Sequence, residues 1–375
     1  MRILRVAQKV YPQVKGGGAY HVHAMSRDQA AMGHDVTVLT IRRNPDQPHT
    51  EEQSGYTVIR YEPVVDVLGN EISPGLAQYL MDSGDFDVIH AHSHLYFSSN
   101  LAAARRRLNG DVPLLVTNHG IYSQNISRWI FEPYLRTIGA WTFNQADLVF
   151  CYSAGGKKRA RSLGIKSEIE VVSNGIDPER FTPDGASFER ISEGAFAVVS
   201  PIRLVEGKRP IDVVKATERL KEKHPQIELY ICGDGPLREE LERYIRSQGL
   251  DDFIHLLGMV SYDEMPAVYR SADLVVLPSE AEGGAPRVLL EAMAAETPYV
   301  TSNLTHLAAE LKELGGATEV GDLKGFSDQI ASFIDDDTYR SRAGKRGRDV
   351  VLDEYNWQKT VKETTATTER VIKST

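Results

Sequence analysis

The feature that most constrains this chain is an alternation running from its first residue to about position 335. Short runs rich in β-branched residues are each followed by a segment of helical periodicity or by a Gly/Pro/Asn loop. Strand and helix in repeated order argue for a parallel sheet with helices on both faces, because parallel neighbours can be joined only by a crossover. Five strand candidates come first, at Ile3–Ala7, Val36–Thr40, Val88–His92, Leu114–Thr117 and Leu148–Tyr152. Five more follow, at Ala195–Ser200, Glu228–Cys232, Phe253–Leu256, Leu274–Leu277 and Tyr299–Thr301. Two series predict an α/β chain with two parallel-sheet domains, and its 375 residues suit two domains of roughly 100–200 residues each.

The boundary is expected between Asn174 and Ala195. Asn174-Gly175-Ile176-Asp177-Pro178 is turn chemistry, and Thr182-Pro183-Asp184-Gly185 repeats it. The expected parts are residues 1–190, residues 191–355 and a polar, Thr-rich, helix-compatible stretch 356–375 without a strand of its own. That last stretch must pack on something already built.

Charge and cysteine usage narrow the function. Lys plus Arg number 43 against 52 Asp plus Glu, and a net charge of −9 gives no support to a nucleic-acid binder. Cys151 and Cys232 sit in strand-like runs and are too few for a disulfide scaffold or a cysteine–zinc site. No apolar stretch approaches the roughly 20 residues of a membrane span, and Met1-Arg2 leads straight into a strand, so a cytoplasmic protein is expected. Residues 1–190 hold 20 basic and 20 acidic residues, which leaves the whole −9 to the remainder. The neutral part nevertheless concentrates Arg105-Arg106-Arg107, Lys157-Lys158-Arg159, Arg161 and an aromatic-basic stretch from Arg128 to Trp141. A solvated helix face accounts for such clusters; contact with an anionic membrane surface is the sharper alternative.

Ligands of open parallel sheets bind beyond the carboxyl ends of the strands, so those loops are the places to search. After the first strand, Gly16-Gly17-Gly18 opens a long helix, where bare backbone N–H groups can approach an anion. It is neither a dinucleotide fingerprint, since His21 takes the third glycine position, nor a Walker A loop. Past Ala195–Ser200, Arg203 and Lys208 bracket Gly207, and two cations there can neutralise a diphosphate. After Leu274–Leu277, a loop with Glu282, Gly283, Gly284, Ala285 and Pro286 leads into a helix carrying Glu291, and the two glutamates can accept hydrogen bonds from a polyhydroxylated ligand. His119 follows a strand end and can bond a sugar hydroxyl. His90, His92 and His94 would share one face, as metal ligands must, only if their strand continued. Asp85-Phe86-Asp87 has the D-x-D form of metal-dependent sugar transferases but precedes a strand, so it reads as a turn.

Taken together, these residues resemble the family 4 retaining glycosyltransferases, also described as glycosyl transferases group 1, of the two-Rossmann-domain GT-B architecture. The resemblance covers nearly the whole length. It rests on Gly16–Gly18, Gly33-His34-Asp35-Val36, Asp87-Val88-Ile89-His90-Ala91-His92 and Val172 through Asp177 with Phe181. Arg203 with Lys208, Gly233-Asp234-Gly235-Pro236, Phe253–Gly258 and Glu282 through Ala294 complete it.

The resemblance implies two domains facing a cleft, with acceptor on the first, donor on the second, and a C-terminal helix near Trp357 crossing back to the first. It implies transfer of a hexose-type sugar from a nucleotide diphosphate sugar to a hydroxyl of a sugar, glycan or lipid-linked acceptor, with retention and without metal or other cofactor. Arg203 and Lys208 would hold the diphosphate, and Gly17 and Gly18 would add backbone contacts. Glu291 would bond the ribose, Glu282 with the loop Gly283–Pro286 the donor sugar, and Met259 and Val260 the base. His119 would sit beside the reacting sugar. Two features depart from the pattern. The family usually places seven residues between its two glutamates, whereas Glu282 and Glu291 enclose eight. Ser302-Asn303-Leu304-Thr305-His306 stands where a Gly-rich loop is usual. Alternatives on the same fold are a sugar-nucleotide epimerase, a glycan phosphorylase or a catalytically silent sugar-nucleotide-binding subunit.

Overall fold

A computed structural model describes residues 1–14, 16–67, 69–93, 95–120, 128–280, 285–302 and 314–375, with backbone only at 128–130. The chain divides into two compact units: Met1–Ser173 with Lys359–Thr375, and Asn174–Gln358.

The first unit is built on β1 (Arg2–Val6), β2 (Asp35–Ile41), β3 (Thr50–Gln53), β4 (Tyr56–Tyr61), β5 (Val65–Val67), β6 (Asn70–Ile72), β7 (Val88–His92), β8 (Leu114–Thr117), β9 (Leu148–Cys151) and β10 (Glu168–Val171). Eight of these form one sheet in the order β10-β9-β8-β7-β1-β2-β4-β3, parallel except for the β3–β4 hairpin, while β5 and β6 pair as a separate ribbon. Leu4, Val6, Leu39, Ile89 and Val116 face one buried layer, and Ile3, Val36, Val38, Val88 and Leu115 face the other. Apolar residues on both faces of each strand are what a sheet buried on both sides requires.

The second unit carries β11 (Phe196–Ser200), β12 (Ile227–Cys232), β13 (Ile254–Gly258), β14 (Leu274–Leu277), β15 (Tyr299–Ser302) and β16 (Gly316–Thr318), all parallel in the order β13-β12-β11-β14-β15-β16. Its core includes Ile176, Phe181, Phe188 and Ile191. Residues 174–190, expected with the first domain, therefore belong to the second unit. Their turn chemistry marks the crossing, but their aromatic side chains have a core only on the far side of it. The helix Trp357–Ser374 returns the chain to the first unit, where Thr360 Oγ1 donates to the Ser173 carbonyl at 2.8 Å and Val371 joins the buried layer.

The basic clusters of the first unit are not equivalent. Arg105 is wholly buried, donating to the carbonyls of Leu80 and Ser83 and pairing with Asp111 at 2.9 Å. Arg106 pairs with Asp147 and Arg159 with Glu132, each at 2.6 Å. The triple arginine is thus chiefly an internal brace, which corrects its reading as one solvated or membrane-facing cluster. Arg107, Lys158 and Arg161 remain exposed, together with Leu108, Ile138 and Trp141. Among the described residues no helix is long and apolar enough to cross a membrane.

Candidate functional site

Each sheet grows in both directions from its first strand, with the next strand of the chain on one side and a later, non-consecutive strand on the other. β1 lies between β2 and β7, and β11 between β12 and β14. At such a switch point the loops leaving adjacent strands diverge, and a ligand can enter between them. The residues singled out above cluster at these two places.

In the second unit, β11 runs into the loop carrying Arg203, which is exposed, and Lys208, which is half-buried on a short 3-10 turn, Glu206–Lys208. The loop is held from two sides. Leu204 N–H donates to the Asp234 carbonyl and Leu237 N–H to the Leu204 carbonyl, both at 3.0 Å. That contact needs glycine, because a Cβ on Gly233 would lie 1.9 Å from the Ile202 carbonyl oxygen and one on Gly235 2.5 Å from that of Leu204. On the other side Glu280 N–H donates to the Gly207 carbonyl at 3.0 Å, and Arg209 reaches Glu280 Oε1 at 3.2 Å and Asp212. The result is an anchored loop that presents Arg203 outward at the β11/β14 switch point.

Glu291 follows one turn into the helix Arg287–Ala294, whose N-cap is the buried Pro286 after half-buried Ala285. Its carboxylate is buried and accepts from Tyr269 Oη at 2.8 Å and Tyr262 Oη at 3.1 Å, while Arg287 lies 3.5 Å away and donates to Tyr262 Oη at 2.7 Å. Burial pushes the Glu291 carboxyl above the usual carboxylate range, against the pull of Arg287 and the two tyrosine hydrogen bonds. The part of this knot nearer the surface is the half-buried Tyr262, with Arg180 stacked 4.5 Å over its ring. Met259, past β13, is exposed, and Val260 beside it is half-buried. Glu282, Gly283 and Gly284 lie outside the described residues, as do Asn303 through His306.

In the first unit, Gly17 opens the helix Gly17–Ala31, whose first-turn N–H groups have no partner within the helix. A Cβ on Gly18 would stand 3.5 Å from Nδ1 of His119, so the glycine turn lies directly against that ring. His119 Nε2 is 2.9 Å from His92 Nδ1, and His119 Nδ1 is 2.9 Å from Tyr152 Oη. His21 meets the His119 ring edge-on at 5.3 Å, and His90 stacks on His92 at 4.6 Å while bonding Thr117 Oγ1. Burial, with Arg5 close by, lowers His119 to about 4, and His90 and His92 are held well below the usual histidine range chiefly by burial. These rings are neutral at pH 7. Among the described residues no three His, Cys, Asp or Glu side chains are grouped to hold a metal ion, and His94 lies outside them. Asp87 accepts from Arg2 N–H at 2.7 Å, at the amino edge of the sheet and away from the switch point.

The residues that sequence reasoning passed over are those acting through others: Arg5, Tyr152, Arg209 and Tyr262. Arg5 left a signal, a cation in the middle of an apolar strand.

Comparison with known proteins gives this geometry its context. The family described as Glycosyltransferase Family 4 matches residues 15–180, and Glycosyl transferases group 1 matches residues 186–350. A glycogen synthase of Mycobacterium tuberculosis is 30% identical over 390 residues, covering 96% of this chain and 92% of that protein. The chain belongs to glycosyltransferase family 4. Within it, a GDP-mannose-dependent alpha-(1-6)-phosphatidylinositol monomannoside mannosyltransferase of the same organism is 24% identical over 377 residues, covering 95% of both chains. Among solved structures, sucrose-phosphate synthase from Thermosynechococcus elongatus matches this glycosyltransferase with a TM-score of 0.83 at 19% identity over the whole of both chains. Anabaena Alr3699/HepE in complex with UDP-glucose matches with a TM-score of 0.79 at 20% identity, over 98% of this chain and 100% of that one. These likenesses show the fold, two Rossmann-like parallel-sheet domains of the GT-B type.

Proposed function

We propose that this glycosyltransferase moves a hexose-type sugar from a nucleotide diphosphate sugar to a hydroxyl of a sugar, glycan or lipid-linked acceptor, with retention at the anomeric carbon. The observation that carries the reading is the Arg203–Lys208 loop, anchored by Gly233 and Gly235 at the β11/β14 switch point. The bond that breaks joins the anomeric carbon to a diphosphate oxygen, and negative charge grows on that oxygen. Positioned cations that need not reorganise lower this barrier. The acceptor oxygen then bonds to the anomeric carbon on the face the diphosphate leaves, and its proton passes to the departing diphosphate. In this reading Arg203 and Lys208 neutralise the diphosphate, the Gly17–Gly18 turn offers backbone N–H groups, and Met259 and Val260 flank the base. Glu291, whose carboxylate also accepts from Tyr262 and Tyr269, bonds the ribose. Glu282 with Gly283 and Gly284 meets donor-sugar hydroxyls, and His119 stands beside the reacting sugar.

The cations take the place of a metal, so turnover should persist in excess chelator. UDP-glucose in the Anabaena protein and GDP-mannose in the mycobacterial name support a nucleotide diphosphate sugar as donor. The first unit would select the acceptor. Lys158, Arg161 and the exposed Trp141 and Ile138 suit peripheral contact with the inner face of an anionic membrane.

The test is a panel of nucleotide sugars scored for thermal stabilisation, since a ligand of the native state raises apparent stability. The stabilising donor is then offered to an acceptor panel, and the product's anomeric configuration is read by NMR. Binding without turnover on any acceptor, or release of free phosphate, would overturn the reading.

A further inference from the structure

Arg5 sits in β1, and its guanidinium is wholly buried. Its N–H groups reach His92 Nε2 at 3.4 Å and the Gln29 Oε1 acceptor, and Gln29 Nε2 donates to Thr365 Oγ1 of the C-terminal helix at 3.0 Å. From His92 the chain of contacts continues through Nδ1 to His119 Nε2, and from His119 Nδ1 to Tyr152 Oη. Both ring nitrogens of His92 and of His119 are therefore engaged.

A guanidinium has donors only. His92 Nε2 must then accept, which places the His92 hydrogen on Nδ1, where it is donated to His119 Nε2. His119 in turn carries its hydrogen on Nδ1 and donates it to Tyr152 Oη. The opposite sense would set the Nε2–H of His92 against an N–H of Arg5. A cationic His92 would do the same.

We propose that Arg5 is the positioning residue that fixes His119 as its neutral Nδ1–H tautomer, acting through His92. The glycosyl-transfer site thereby keeps one uncharged imidazole of set orientation beside the Gly17–Gly18 turn. Which nitrogen of a histidine holds the hydrogen is decided by the partner of the other, and here the deciding partner is two residues removed. Titratable groups face His119 and His92 from each surrounding element: Arg5 from β1, His21 from the helix Gly17–Ala31, His90 from β7 and Tyr152 from the loop after β9. Arg5, His21 and His90 are cationic when protonated, so each opposes a second proton on this pair. With His119 lowered to about 4, its tautomer holds across the neutral range.

The weight of this relay for turnover rests on the reading of His119 as a sugar-side residue; the tautomer does not. The full chain labelled with ¹⁵N-histidine is therefore examined by long-range ¹H–¹⁵N correlation at pH 7, with His119 assigned by the signal lost in His119→Asn. The expected wild-type spectrum has a protonated Nδ1 and a bare Nε2. Arg5→Lys keeps a donor-only group and should retain that pattern. Arg5→Met should mix the tautomers, shift the onset of His119 protonation toward ordinary histidine values and lower kcat on the order of 10²-fold, the scale of a misplaced catalytic contact. A wild-type His119 protonated at Nε2, or a folded Arg5→Met protein with an unchanged His119 spectrum, overturns the proposal. Should Arg5→Met not fold, the wild-type and Arg5→Lys spectra decide. A changed tautomer with unchanged kcat would leave the relay standing and refute the sugar-side reading of His119.

Discussion

The two units place their candidate sites at the same topological point and fill them with opposite chemistry. At the β1/β7 switch point a buried cation, Arg5, stands among neutral rings, and no charge is presented from His92 or His119 at pH 7. At the β11/β14 switch point the cation Arg203 is exposed on a loop, while the acidic group, Glu291, is buried behind two tyrosines. The difference teaches that a shared sheet order supplies only a place. An exposed, anchored cation suits a ligand that develops negative charge, whereas a buried, directed hydrogen-bond chain suits orientation of an uncharged group.

The sharpest way to break this contrast is to remove the two loop cations, exposed Arg203 and half-buried Lys208. Arg203→Ala and Lys208→Ala should each lower kcat on the order of 10²–10³-fold, about 3–4 kcal/mol of transition-state stabilisation, while the melting temperature stays put because neither side chain fills a core. Near-wild-type turnover in either variant, measured at saturating donor, would remove the diphosphate assignment.

Acid should separate the units next. His119 binds its proton less readily in the folded chain, lowered from 6.5 to about 4, so the unfolded state takes up protons first. Stability in the first unit is full above about pH 6.5 and lost as pH falls toward 4, by roughly 3 kcal/mol from this histidine. His90 and His92 act in the same direction. Glu291 has the opposite sign: its raised folded value contributes stability at low pH that is lost as pH rises through that value. Hydrogen exchange at pH 5 against pH 7, corrected for intrinsic rates, should show β1 and β7 losing protection before β11 and β14. Equal loss in both units would contradict the assignment of neutral histidines.

A smaller effect probes the buried acid. Tyr269→Phe removes the hydroxyl that donates to Glu291 Oε2 at 2.8 Å. Oε2 of the buried carboxylate then loses that donor while Oε1 keeps Tyr262, which costs about 1–3 kcal/mol in denaturant unfolding and raises the carboxyl further. An unchanged midpoint would mean that water or another group satisfies Glu291 as well as the tyrosine does.

The smallest effect concerns the surface of the first unit. If Lys158 and Arg161 meet anionic lipid, each contributes roughly 1 kcal/mol, and Lys158→Glu with Arg161→Glu should abolish sedimentation with anionic vesicles at low salt. Wild-type protein that stays in the supernatant with such vesicles would instead favour a soluble acceptor.

Much of the architecture is legible in the amino-acid sequence. All ten strand candidates appear within a residue or two of their expected ends, because each carries enough apolar residues to bury on both faces. Of the six strands not anticipated, β3, β5, β6, β10 and β16 are three or four residues long and lie at edges or outside the main sheets, too short for periodicity to register; β4, six residues long between β2 and β3, was missed outright. The Arg203–Lys208 loop was legible because a strand end, a glycine and two cations are adjacent in the chain. The Glu291 knot was only half legible. The glutamate belongs to a recognisable run, but Tyr262 and Tyr269 reach it from a neighbouring helix and the loop before it.

What the sequence determined by itself is what local chemistry can encode: β-then-α order, hence two parallel sheets, and glycine or cation placement at strand ends. Tertiary structure alone decided which side of the crossing residues 174–190 occupy, that Arg105 is an internal brace and that Arg5 governs a histidine 114 positions away. The physical reason is the same in each case. Burial and hydrogen-bond direction depend on partners distant in the chain, and a residue type states only what it can donate or accept, not what will stand opposite it.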